Sequence, residues 1–175
     1  MIKIIVSQMK VHMSSMWRIP FSLLFLLCAG LRADSPSHLL VGMGVFDVDK
    51  SHPQLLFQME YRWDIHYRHI RPLVGFFVAT EGNAYLCAGV AIDAFLTKKV
   101  VLTPSFAPGV YYHGNGKNLG FPINFRSALE LSYVCDNQGR IGAQFNHISN
   151  AGMLWKNPGA DSLVFFYAIP FTCKH

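Results

Sequence analysis

The segment HPQLLFQMEYRW, His52 to Trp63, places Leu55, Phe57, Met59, Tyr61 and Trp63 on one parity. Gln54, Gln58, Glu60 and Arg62 take the other. Successive side chains of a strand point to opposite faces, so the pattern is that of an amphipathic β-strand. A carboxylate and a guanidinium share its polar face in a chain of which only 14% is charged. In a soluble sandwich the five large apolar side chains would turn inward. The acid and base so close together point the other way, to a polar interior and an apolar exterior.

The same period of two runs from about His38 onward, and no long stretch has helical spacing. Eight segments follow it, roughly 38–48, 52–63, 70–80, 83–95, 98–111, 125–136, 139–149 and 161–171. Most are 10–13 residues long, whereas ordinary soluble strands are nearer about 5–6. A tilted membrane-spanning strand needs about 9–11, and eight is the smallest usual count for an outer-membrane barrel. The expected fold is all-β: an eight-stranded antiparallel transmembrane β-barrel.

The connections agree with that expectation. With the first strand starting in the periplasm, the inner turns fall at 64–69, 96–97 and 137–138. The outward loops 112–124 and 150–160 are longer and rich in Gly, Asn and Pro. Short inner turns and long outer loops are the usual asymmetry of such barrels. Parity then sends Phe125, Leu129, Leu131, Tyr133, Ile141, Ala143, Phe145, Leu163, Phe165, Tyr167, Ile169 and Phe171 toward lipid. Arg126, Glu130, Asp136, Arg140, Gln144 and Asn146 point inward. An eight-stranded barrel is narrow enough for side chains to fill it, so these groups and Glu60 are expected to form a polar core and not a channel. Tyr111, Tyr112 and Trp63 read as interfacial girdle residues.

Residues 1–33 are set apart. Arg18, the apolar run Phe21 to Leu31 and small Ala33 have the form of a secretory signal. That run is too short to span a bilayer as a helix. Met13 and Met16 are alternative starts, which would make Met1 to Ser15 an upstream extension. The domain expectation is thus a signal over 1–33 and an outer-membrane barrel over 34–175. The formal charge of +5 falls to +1 without the four basic residues of the signal, so the basicity argues for no nucleic-acid partner. Of the four cysteines, Cys28 leaves with the signal. Cys87 and Cys135 fall on opposite faces and Cys173 lies in the tail, so no disulfide is expected. His66 and His69 are assigned to a solvated turn, not to a metal.

The chemistry concentrates in FNHISNAGMLWKNPG, Phe145 to Gly159, followed by Asp161. His147 and Ser149 are two apart, so an extended chain projects both from one face, which Ile141, Ala143 and Phe145 make apolar. A hairpin over 149–161 would return Asp161 antiparallel to His147, where facing residues are about 4.5–5.5 Å apart. An acid so placed can orient the imidazole, which takes the proton of the serine hydroxyl. Polar groups facing lipid are costly, and such exceptions invite a functional reading.

Three runs carry a family resemblance: Glu130-Leu131-Ser132-Tyr133, Phe145-Asn146-His147-Ile148-Ser149-Asn150-Ala151-Gly152, and Asn157-Pro158-Gly159. Together they resemble the lipid A 3-O-deacylases, the PagL family of Gram-negative outer membranes. The specific match covers about the last 45 residues. The resemblance implies an eight-stranded barrel with a Ser-His-acid triad on its outer surface. It implies Ser149 as nucleophile and His147 as general base, with Asp161 where the family commonly has Glu. Asn150 and Gly152 would stabilise the oxyanion, and Phe145, Phe125 and Phe165 would line an acyl groove. The implied reaction removes the ester-linked hydroxyacyl chain at position 3 of lipid A, with no metal and no cofactor. The implied partners are lipopolysaccharide and the bilayer, with a homodimer as a further expectation. Two other readings stand beside this one: a non-enzymatic barrel with a degenerate triad, and a soluble lipid carrier. The carrier requires polar outer faces, which 55–63 and 163–171 lack.

Overall fold

The computed structural model describes residues 36–49, 53–64, 70–153 and 157–171. Residues 1–33, expected to be a signal, and His66, His69 and Cys173 lie outside the described residues. The described residues form nine strands: β1 Ser37–Phe46, β2 Gln54–Arg62, β3 Ile70–Ala79, β4 Ala84–Ile92, β5 Ala94–Phe95, β6 Val100–Tyr112, β7 Ile123–Val134, β8 Arg140–Ser149 and β9 Ala160–Phe171. β5 is a two-residue continuation of β4 beyond a break at Asp93, and both pair with β6. The barrel therefore has eight staves. Each pairs antiparallel with the next, and β1 pairs with β9 to close the cylinder.

Closure brings backbones very close. A Cβ added at Gly44 would stand 2.0 Å from the carbonyl oxygen of Leu163 and 2.7 Å from Val164 Cα. Glycine in a strand interior marks a tight barrel corner or a close backbone approach. Gly44 is such a corner on the seam between β1 and β9.

The outer wall is apolar, as parity requires. Leu55, Phe57, Leu129, Leu131, Ile141 and Phe165 are all exposed. The interior is layered. Near the long-loop end Phe46, Leu56, Phe77, Tyr85, Tyr111, Leu119 and Ile148 form an apolar plug. Phe46 and Phe77 rings lie 5.3 Å apart within it.

Below the plug the interior is charged. Arg62 donates from Nε to Glu60 (2.7 Å) and from Nη2 to Glu130 (2.7 Å). Arg126 pairs with the other oxygen of Glu60, and Gln58 donates to Gln144 (2.6 Å). At the far end Asp93 receives Arg140 (2.7 Å), Arg71 (3.2 Å) and the hydroxyl of Thr103 (2.9 Å). Buried charges are tolerated only when paired and hydrogen-bonded, and each of these has a partner of opposite charge. The expected polar core is present, although Arg140 belongs to the Asp93 cluster and not to the Glu60 cluster.

Two expectations are corrected. Asp136 does not point into the lumen, because β7 stops at Val134; it lies in the following turn, where Lys99 Nζ donates to it (2.8 Å). Tyr111 is not a girdle residue. It is buried, receiving a bond from Asn83 (2.6 Å) and donating to the Lys117 carbonyl (2.8 Å). Its neighbour Tyr112 does face outward. Cys87 is buried and Cys135 half-buried, and both are free thiols.

Candidate active site

Strand β8 has two unlike faces. His147 and Ser149 face outward, while Asn146, Ile148 and Asn150 face inward and are buried. Ile148, with no exposed surface, drives into the apolar plug between them. Across the hairpin Ala160 pairs with Ile148 and is buried in the same cluster, next to outward-facing Asp161. A packed interior residue thus stands beside each of the three polar groups on the wall. Interiors are packed at crystal-like density, so the backbone under the site is held firmly.

His147 and Asp161 are paired residues of the β8–β9 ladder. His147 Nδ1 lies 2.7 Å from Asp161 Oδ1, with the imidazole side chain 49% and the carboxylate side chain 28% exposed. The distance is that of a charge-assisted hydrogen bond. It fixes the tautomer so that Nε2 is left as the proton acceptor. The aspartate carboxylate therefore reaches the imidazole directly.

Ser149 is half-buried at the end of β8, opposite Phe125. Among the described residues no hydrogen bond joins its Oγ to His147 at rest. Contacts of this kind often tighten only when substrate is bound. Gly159 closes the other edge of the imidazole. It has φ +58°, and a Cβ there would lie 3.0 Å from His147 Cε1.

The turn after Ser149 is knitted together. Asn150 Nδ2 donates to the Leu119 carbonyl (2.9 Å), and Asn150 Oδ1 accepts the Gly152 N–H (2.9 Å). The Asn150 N–H donates to Asn157 Oδ1 (3.1 Å). Both backbone donors expected of Asn150 and Gly152 are thus engaged at rest. Sequence reading gave no role to Asn157, which braces this turn, or to Leu119, which reaches it from the 113–122 loop. It also passed over Ser127, which pairs with His147 on the side away from Asp161 and faces outward.

The three expected acyl-lining phenylalanines separate. Phe125 stacks on Phe106 with ring centroids 5.9 Å apart, on the Ser149 side. Phe145 is exposed on the His147 face. Phe165 lies on the far side of Asp161, in a groove between β9, β1 and β2.

A family model described as lipid A 3-O-deacylase (PagL) matches residues 43–170. The chain belongs to the PagL family. A crystal structure of the outer membrane enzyme PagL superimposes with a TM-score of 0.61 at 19% identity, covering 77% of this chain and 99% of that one. A de novo designed transmembrane β-barrel superimposes with a TM-score of 0.56 at 8% identity, covering 80% and 98%. No curated protein matches the chain. The protein is an outer-membrane barrel of a lipid A deacylase family, and the likeness to a designed barrel speaks for the fold alone.

Proposed function

We propose that this protein is a serine esterase that hydrolyses the 3-O-linked hydroxyacyl ester of lipid A. The observation that carries the reading is the 2.7 Å contact between His147 and Asp161 on the lipid-facing wall, on the face shared by Ser149. Ser149 Oγ attacks the ester carbonyl and gives its proton to His147 Nε2, while Asp161 holds the imidazole and stabilises its positive form. Collapse of the tetrahedral intermediate transfers that proton to the departing sugar oxygen and leaves an acyl-enzyme. Water activated by His147 then releases the hydroxy fatty acid.

The developing oxyanion is met at the Asn150–Gly152 turn, where preorganised N–H donors do most for the transition state. The Gly152 N–H exchanges Asn150 Oδ1 for the substrate oxygen, and Asn157, anchored through its own Oδ1, offers Nδ2 as a further donor. Lipopolysaccharide occupies the outer leaflet, so an outward site near the long-loop rim lies where the ester is.

The test is mass spectrometry of lipid A after incubation with the refolded barrel. Loss of one hydroxyacyl mass is expected, abolished by Ser149→Ala and retained by Ser127→Ala. The reverse pattern would move the nucleophile across to β7. An unchanged lipid A mass with a correctly folded barrel would favour the structural reading of the fold.

A further inference from the structure

Resting on that esterase reading, we propose that the groove beside Asp161 holds a retained acyl chain of the same lipid A molecule from which Ser149 removes another. The groove has a volume of about 330 Å³, and its walls include Met43, Val48, Leu55, Phe57, Leu163 and Phe165. Ligand sites for small apolar molecules begin at about 300 Å³. Its rungs follow the register. Leu163 pairs with Val45, which pairs with Leu55; Phe165 pairs with Met43, which pairs with Phe57.

The groove is continuous with the catalytic cluster. Leu163 is the next outward residue after Asp161, and the Val48 N–H donates to the Asp161 carbonyl (3.1 Å). It is also displaced from the nucleophile. Ser149 lies on β8 and faces Phe125 on β7, whereas the groove centres on β1, two strands away on the other side. At the spacing of paired strands that offset is about 10 Å. The first carbons of the departing chain must lie at Ser149, so they cannot also lie in the groove. A neighbouring chain on the same sugar framework can reach it.

Direction agrees as well. From Val48 to Phe165 the groove descends from the rim toward mid-barrel, as an acyl chain hangs from its headgroup. The named walls are hydrocarbon apart from one thioether, which suits a chain and not a phosphate or a sugar. The site is then straddled: the Phe125–Phe106 pair takes the chain being released, and the groove takes one that stays.

Leu55→Trp and Met43→Trp fill the groove from the lipid-facing side of β2 and β1 without touching the triad. Each is assayed in one detergent on multiply acylated lipid A and on a single-chain 3-hydroxyacyl p-nitrophenyl ester. The ratio of kcat/KM on lipid A to that on the ester should fall at least about tenfold, mainly through KM. Leu86→Trp, on exposed β4 away from the groove, should leave the ratio at its wild-type value. An unchanged ratio in the groove variants overturns the proposal, because detergent or ordinary lipid then fills the space. Wild-type protein inert on both substrates would overturn the esterase reading itself and this proposal with it, a result visible before any groove variant is made.

Discussion

Asp161 stands directly across the β8–β9 ladder from His147, and its carboxylate reaches the imidazole Nδ1 at 2.7 Å. The pairing register alone brings acid and base together, with no loop excursion. Orientation of the imidazole is therefore a property of the sheet, and Ser149, two residues along, is carried by the same strand.

Asp161→Asn should lower kcat by about three to four orders of magnitude, because a neutral amide neither fixes the tautomer nor supports the imidazolium. Folding should be unaffected, as the side chain is on the outer wall. Asp161→Glu should bring no gain over wild type, since the shorter acid already makes contact. Steady-state rates on lipid A check both; an unaltered rate for Asp161→Asn would remove Asp161 from the triad.

Gly159→Ala should cost about tenfold or more in kcat, since small misplacements of a catalytic group are expensive. Its methyl group meets the edge of the imidazole, and its φ is left-handed. Gly159→Asn separates the causes, because asparagine accepts that backbone more readily but still carries a Cβ. Equal loss in both variants assigns the effect to the ring contact. Full activity in the asparagine variant would assign it to the backbone.

Ile148→Ala empties a site in the plug directly under the face that carries His147 and Ser149. Such truncations cost about 2–5 kcal/mol. Denaturant unfolding of the barrel in lipid vesicles should show the loss, and turnover should fall too, although Ile148 touches no substrate. Stability lost with full turnover retained would show that the strand keeps its place without this anchor.

Glu60→Ala leaves Arg62 and Arg126 without their shared carboxylate in the middle of the barrel. Removing one partner of a buried charged cluster costs about 3–5 kcal/mol. The same unfolding measurement should register it, while any barrel that does fold should keep its esterase activity, because the cluster lies below the plug and away from the wall.

Much of the architecture was legible because a barrel enforces parity so strongly. Once His52 to Trp63 is taken as a strand with its polar face inward, each other segment is tested by asking which parity is apolar. Strand ends were less legible. Segment 83–95 read as one strand, whereas pairing is interrupted at Asp93, whose side chain bonds to Arg71, Thr103 and Arg140 on three other strands. Asp136 was misplaced for the same reason: where a ladder stops is decided by its partner, not by its own residues. Tyr111 could have been found. Thr103, Ser105 and Ala107 share its parity, and that is the buried side of β6.

In the site, the His147–Asp161 apposition was legible from spacing, since a hairpin between them fixes which residues face each other. The brace from Asn150 to Leu119 was not, because the two are 31 residues apart on different loops. Nor was the separation of Phe125 from Phe165, which follows from the width of the sheet between them.

The guanidinium and carboxylate groups packed through the middle of the cylinder have a consequence for the cell. A catalyst built as a hollow stave barrel would puncture the permeability barrier in proportion to its copy number. Among the described residues this interior is filled by buried side chains, so a rise in the barrel's abundance would open no path for solutes from outside.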